Sequence, residues 1–431
     1  MRASGSARVA LVSQGIASSG GFALSVLLVR TLGLERFGVL SLVLIGAAYA
    51  AGLGQALACQ PLLSLAPLAE GEARRARVRD ALWMAAGLAA IVSALAGGLM
   101  HLLEANGVGL RDRGVGRLAV TTLVGLRALA PTLRGALFTL GYGRATVAMD
   151  ALGSWGPCVG VVTLGHFGGV SIASASVVLS ASAAAACALA LVALRGLGVG
   201  AVPGRAAFAR HWQSGRWLAG NQVLSWFGTG GFHAATAAVV GPAGVGAIRA
   251  AQGLVGVLLV GCQALELILP GRAAAALAEG GRSGLLRWTR AQAVPLGLAF
   301  AALGAGLWLS GPWLIEGLFP GVDPDLTGIA LAGLAWLPAA SALTGLLQVS
   351  ARALEDTRPV FVAYAVSALS AAVLALPLVE ALGLAGAAWG FTGQQALFAL
   401  LLLLSLRSEA PRLRRAASGH RIEGSVSIRH S

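Results

Sequence analysis

The chain has 431 residues, 57% of them hydrophobic and only 11% charged, with 61 glycines and a mean hydropathy of +0.80. A water-exposed surface ordinarily calls for about 25% charged residues, so a soluble globular domain is excluded. The glycines have no three-residue period, which excludes collagen, and apolar residues fill the gaps between them, which leaves a polytopic helical membrane protein. All 31 basic side chains are arginine, and with 17 acids they give a formal charge of +14. They stand in short clusters between apolar runs with no basic domain of their own. That is the pattern of loops on one side of a membrane, and no nucleic-acid partner is expected. Cys59, Cys158, Cys187 and Cys262 all fall inside apolar runs, with no CxxC pair and no Cys/His cluster. Neither a disulfide framework nor a metal site is indicated, and no cofactor is expected.

A spanning helix takes about 20 mostly apolar residues. On that basis the chain offers twelve transmembrane helices, over 9–31, 37–60, 81–103, 117–140, 146–167, 170–194, 217–240, 245–270, 291–311, 326–350, 359–380 and 383–407. The first run continues to Leu32 without a small-residue cleavage pattern, so it reads as an uncleaved helix. An even number of spans puts both termini on one side. With the N-terminus cytoplasmic, the clusters Arg74–Arg79, Arg205–Arg216, Arg282–Arg290 and Arg407–Arg421 fall inside. Arg30, Arg36, Arg111, Arg113 and Arg117 are left at the outer edges. The asymmetry predicts cytoplasmic N- and C-termini in the cell membrane.

The two halves repeat at an offset of 208: Gln14 matches Gln222, Gly33 matches Gly241, Gly38 matches Gly246, and Gln55-Ala56-Leu57 matches Gln263-Ala264-Leu265. After each second helix comes the same kind of basic loop, LAEGEARRARVR from Leu68 and LAEGGRSGLLR from Leu277. The domain organisation expected is therefore an N-terminal six-helix lobe over 1–195, a cytoplasmic basic linker over 196–216, a C-terminal six-helix lobe over 217–407 and a basic tail over 408–431. Six spans per half give both halves the same orientation, related by an axis along the membrane normal, which is a transporter layout.

Catalysis is not expected. The outer loops are short, and their one acidic pair, Asp323 and Asp325, sits in the turn GVDPDL. No Walker A, H-E-x-x-H or G-x-S-x-G motif occurs.

Function in such a chain is read from charge inside the spans, since an arginine at the bilayer centre costs about 2.5–3.5 kcal/mol on insertion scales. Arg127 and Arg134 lie seven residues apart in the fourth span, on nearly one face, with Pro131 between them as an expected kink. Guanidinium forks hold phosphate oxygens bidentately, so this pair is a candidate phosphate or diphosphate site, with snorkelling of Arg134 to the interface as the plainer reading. Arg249, early in the eighth span, either lines the same cavity or caps the external interface. Asp150, six residues after Arg144, and Glu266, within reach of Arg272, are candidates for a coupling proton or cation, and so is His233 in the middle of the seventh span. Gln14, Gln55, Gln222 and Gln263 read as bonds between helices. Pro131 and Pro338 occupy almost equivalent places in the repeat, and paired helix breaks of this kind make them candidate hinges beside a substrate path.

The run from Ser13 to Leu42 resembles the start of polysaccharide (O-antigen-type) flippases of the multidrug/oligosaccharidyl-lipid/polysaccharide exporter superfamily. The residues that carry the resemblance are Gln14, Ser18-Ser19, Phe22, the Arg30-Thr31-Leu32-Gly33 turn, Phe37-Gly38, and Gln55 through Gln60-Pro61-Leu62. Gly21 stands where that family often has a polar residue and Gln60 where an acid is common. The resemblance implies two six-helix lobes that alternate between inward- and outward-open states. The substrate implied is a polyprenyl-diphosphate-linked oligosaccharide, with other polysaccharide-assembly membrane proteins as possible partners beside the surrounding lipid. It also implies a cationic cavity, for which Arg127, Arg134, Arg249 and Arg30 are the residues present. Two alternatives stand beside this reading: a drug/cation antiporter of the same superfamily, which would want acids in the cavity, and a non-transporting scaffold, whose arginines would be fully paired around no cavity.

Overall fold

The computed structural model describes residues 2–105, 113–198, 204–354 and 358–408, and among these no strand occurs. In the first half, α1 (Arg2–Gly54) runs through a π turn (Gln55–Cys59) into α2 (Gln60–Leu65). It is followed by α3 (Gly71–Ala105), α4 (Arg113–Thr139), α5 (Gly143–Phe167) and α6 (Ile172–Ala193). In the second half, α7 (Arg205–Ser225) runs through a π turn (Trp226–Gly230) into α8 (Gly231–Val239). Then come α9 (Pro242–Leu318), α10 (Pro324–Leu334), α11 (Leu337–Ala353), α12 (Arg358–Leu382) and α13 (Leu384–Ser408). Eight of the described helical stretches are long and apolar enough to cross a membrane, and the chain is a multi-pass helical membrane protein.

Two of those stretches are too long for one crossing. Drawn straight, α1 with 53 residues would reach about 80 Å and α9 with 77 residues about 115 Å. The bilayer core is about 30 Å thick, so both must turn back. In α9 the turn is at Gly281 (φ 57°): the Phe300 ring comes within 3.5 Å of where a Gly261 side chain would begin, although the two residues lie about forty positions apart. In α1 the turn is at Gly33 (φ 73°, ψ 169°). Its first arm runs parallel to α5, with Ser13 at Asp150 and Gly20 at Cys158. Helix α6 is antiparallel to α5, with Gly153 at Ala186 and Gly160 at Val178. Helix α4 is parallel to α6, with Ala119 at Ser180 and Leu126 at Cys187. The second arm of α1 is parallel to α4, with Gly54 at Ala128 and Cys59 at Gly135. The two arms of α1 therefore point in opposite directions. Gly33 and Gly241 (φ 92°) both adopt a backbone that only glycine enters cheaply, and they are the matched pair of the internal repeat. Counting arms, the arrangement is consistent with twelve crossings.

The same pairings recur in the second half. The Ser180 hydroxyl of α6 donates to the Ala119 carbonyl of α4 at 2.6 Å, and the Thr392 hydroxyl of α13 donates to the Gly333 carbonyl of α10 at 2.8 Å. The halves meet where the second arm of α1 crosses the first arm of α9. A Cβ on Gly38 would overlap the Pro242 carbonyl, and a Cβ on Gly246 would overlap the Leu34 carbonyl, so each glycine of the repeat faces the other half's copy of the same site.

The two expected hinges behave differently. Pro338 sits in the first turn of α11, directly after the interruption at Ala335-Trp336 that separates it from α10. Pro131 lies inside α4, which continues unbroken from Arg113 to Thr139. The expected linker is largely ordered: from Arg205 onward it forms the first three turns of α7, while residues 199–203 and the basic tail from 409 lie outside the described residues.

Overpacking a close helix crossing costs about 1–3 kcal/mol. Gly38→Val is expected to lower the melting temperature in detergent by several degrees, whereas Gly46→Ala, with nothing within 4 Å of the added carbon, leaves it unchanged. His211, in the part of α7 that precedes the expected span, is 3% exposed. Burial pushes its imidazole below the ordinary value, with Asp80 opposing and Arg210 adding to the shift. The folded state therefore favours the neutral ring, and stability is expected to fall as pH drops below about 6.5. A melting series from pH 8 to pH 5 on the wild type and on His211→Asn, whose slope should be shallower, checks this.

Candidate functional site

The first arms of α1 and α9 run antiparallel across the interface between the halves. Ser25 lies at Gly253, and the Gln14 Nε2 donates to Gln263 Oε1 at 3.1 Å. This is the interhelical role expected of those glutamines. Between these contacts the arms enclose a cavity of about 770 Å³. It exists because the facing positions lack side chains: a Cβ on Gly15, Gly21 or Gly256 would meet nothing within 4 Å. Its polar lining consists of Ser18, Ser19, Ser25, Gln252, Gln263 and Arg249. Among the described residues one guanidinium, five neutral hydrogen-bonding groups and no carboxylate line it, so this wall is suited to an anion with hydroxyl-bearing groups attached. Arg249 is held by one bond, its Nη1 donating to Gln252 Oε1 at 3.0 Å, and its Nε is buried with no partner among the described residues.

The other three arginines of the expected site stand elsewhere. Arg30 donates from Nε to the Leu318 carbonyl at 2.7 Å and from Nη2 to the Gly317 carbonyl at 2.8 Å. It thus neutralises the last carbonyls of α9, where a cation is favoured. Arg134 donates from Nε to Asp150 Oδ2 at 2.8 Å and from Nη2 to the Ser13 hydroxyl at 3.0 Å, and its guanidinium lies 5.1 Å from the centre of the Phe138 ring. Ser13 in turn donates to Asp150 Oδ2. Arg127 lies on the opposite side of the first arm of α1 from Arg249, in a separate cavity inside the first half. The structure thus places one of the four, Arg249, on the cavity between the halves.

The acid and histidine candidates are likewise dispersed. Asp150 is paired with Arg134 rather than with Arg144. His233 is 6% exposed, with Nδ1 at 2.9 Å from the Thr229 carbonyl and its ring edge-on to Phe391 at 4.8 Å. The Nδ1–H donates in that bond, and Nε2 is buried without a partner among the described residues. The side chain of Glu266 lies outside the described residues. Gln252 and Ser13 are the polar groups that the sequence reading missed. Gln252 stands one helical turn after Arg249, a spacing that places the two on one face. Ser13 carried no such signal, because its partners lie more than a hundred residues away.

Comparison with protein-family models and with curated protein sequences gives no match. Solved structures do match. The chain superposes on the inward-facing form of a multidrug-resistance MATE transporter of the MOP superfamily with a TM-score of 0.75, at 15% identity over 94% of this chain and 99% of the other. It superposes on the lipid II flippase MurJ in an inward closed conformation with a TM-score of 0.68, at 11% identity over 92% and 87% of the two chains. A MATE protein in its bent conformation gives 0.62, at 15% identity over 94% and 95%. The fold is that of MOP-superfamily transporters. At these identities the likeness is one of architecture, and it extends to both a multidrug-resistance MATE transporter and a lipid II flippase.

The Arg134–Asp150 bond is expected to be worth about 1–2 kcal/mol, after discounting for the 36% exposure of the arginine side chain. A double-mutant cycle with Arg134→Gln and Asp150→Asn, read by thermal unfolding in detergent, checks it. Each single change should destabilise, and the double variant should be less destabilised than the sum of the two.

Proposed function

We propose that the chain is a transporter that carries a polyprenyl-diphosphate-linked oligosaccharide across the cell membrane by alternating access of its two halves, with the termini on the cytoplasmic side. The observation that carries this reading is the cavity between the halves, which holds Arg249 and five neutral polar groups and, among the described residues, no acid. A guanidinium meets the diphosphate, while serine hydroxyls and glutamine amides meet sugar hydroxyls. The lipid tail remains in the bilayer. Arg249 is prepared for this role because Gln252 takes only one of its terminal N–H groups and leaves the other Nη N–H groups for phosphate oxygens. The likeness in fold to the lipid II flippase MurJ supports a lipid-linked cargo. The basic clusters that set the orientation support the cytoplasmic termini.

A second reading is favoured by the likeness in fold to the MATE transporters: export of drugs or organic cations. A cation carrier requires a carboxylate where the cation rests. The described acid nearest in role, Asp150, lies outside this cavity and is already paired. A non-transporting scaffold would have no use for a cavity of about 770 Å³ kept open by glycines.

The test is reconstitution in liposomes with a fluorescent polyprenyl-diphosphate oligosaccharide, scored by how much becomes accessible on the far side. Arg249→Ala is expected to reduce movement at least about tenfold, the loss of roughly 1.4 kcal/mol or more of anion binding. Arg249→Lys should retain part of it. Gly256→Leu, whose Cβ would meet nothing within 4 Å and whose side chain would enter the cavity, should also block movement while leaving the melting temperature intact. Uptake of organic cations with no movement of any lipid-linked glycan would assign the chain to the antiporters instead.

A further inference from the structure

The first half has a cavity of its own, about 220 Å³ and partly open, between the first arm of α1 and helices α4, α5 and α6. Two ionisable groups reach it, Arg127 from α4 and Asp150 from α5. They do not bond each other. Asp150 is taken by Arg134 and Ser13, while Arg127 makes no hydrogen bond or ion pair with any described residue. Around this cavity the described residues count two guanidiniums, Arg127 and Arg134, against one carboxylate, Asp150, and one positive charge is left over. Arginine does not relieve this by losing its proton. An ionised group removed from water without a counter-charge costs several kcal/mol, so the site is incomplete as the protein alone forms it.

The walls decide what can complete it. Beside Arg127 the lining is small and apolar, with Ala17, Gly21, Ala130, Ala183 and Ala186. The one hydroxyl at the cavity, that of Ser154, donates to the Asp150 backbone carbonyl and is not free to donate to a ligand. A single guanidinium among apolar walls balances one negative charge. A doubly charged phosphate would bring a second, uncompensated charge close to the Asp150 carboxylate. An ion that sheds its hydration readily and carries one charge fits, and the cavity has ample room for it with several waters.

We propose that the first half binds one small monovalent anion of the halide class at Arg127, in a site separate from the cavity between the halves. The two sites share a wall: Gly21 of α1 lines both. The halide neutralises the excess charge on one side of the first arm of α1, while Arg249 keeps its own charge for cargo on the other. The inference does not depend on what the chain transports.

The test uses the full chain purified in detergent, melted in sodium chloride, sodium bromide, sodium gluconate or sodium sulfate at one ionic strength. Chloride and bromide should raise the melting temperature saturably and gluconate and sulfate should not, since a ligand that binds only the folded state stabilises it by mass action. The halide response should vanish in Arg127→Gln and persist in Arg249→Gln. Should Arg127→Gln fail to fold, Ala183→Leu, which fills the cavity without removing a charge, should lose the response. Broadening of the chloride NMR line by the wild-type protein, removed by bromide, gives a direct reading of the bound ion. The proposal is overturned if the wild type shows no halide-specific shift, if Ala183→Leu keeps the response, or if the response follows Arg249 rather than Arg127.

Discussion

Backbone-to-backbone contact at Gly38 and Gly246 is the constraint on which the rest of this structure hangs. In a bilayer there is no hydrophobic gain from bringing two helices together, so association rests on close packing, and close packing needs small residues where axes cross. Here the crossing is so tight that neither glycine has room for a single carbon. Because Gly38 and Gly246 are copies of each other, the contact is made twice, once from each half, and the repeat becomes an axis. On one side of it the chain reverses at Gly33 and Gly241. On the other the first arms of α1 and α9 diverge just enough to leave the glycine-lined cavity, and they are tied again by Gln14 and Gln263.

Charge is distributed around that axis with little waste. Arg30 is spent on the carbonyls that end α9, and Arg134 on a carboxylate and a hydroxyl from neighbouring helices. These bonds hold elements together, and a side chain so engaged is poorly placed to exchange its partner for a ligand. Arg249 and Arg127 are different in kind. One has a single amide partner and the other has no partner among the described residues, and each opens onto a cavity. In a medium where an unpaired charge costs several kcal/mol, this inequality separates arginines with free bonding capacity from paired ones more sharply than depth in the membrane does.

The sequence made the class of fold legible because membrane thickness fixes helix length and glycine marks where backbones meet or turn. Gly33 with Gly241 and Gly38 with Gly246 were visible as a repeat and proved to be the turns and the crossing. The candidate site was legible only in its residue types. That Arg127 and Arg134 share a face of α4 was correct in spacing, yet the two face different surroundings: a carboxylate and a hydroxyl for one, a partly open cavity for the other. No periodicity within one helix could reveal this, since the partners Ser13 and Asp150 come from α1 and α5. The proline pair shows the same limit. Pro131 lies within a helix that continues through it, while Pro338 follows a real interruption, and the residue type alone does not distinguish the two.

Backbone packs closely at both prolines: a Cβ on Gly54 would overlap the Ala128 carbonyl of α4, and the interruption at Ala335-Trp336 has a matching neighbour. A Cβ on Gly304 would overlap the Ala335 carbonyl, so the second arm of α9 comes against the break with nothing between, and Thr392 of α13 donates to Gly333 just before it. The first half offers α4 no such break: there the matching contact is the Ser180 hydroxyl on the Ala119 carbonyl, and the helix then continues through Pro131 to Thr139. The halves thus share a plan of packing but differ in continuity: α4 runs unbroken past Arg127 and Arg134, whereas α10 and α11 are separate helices.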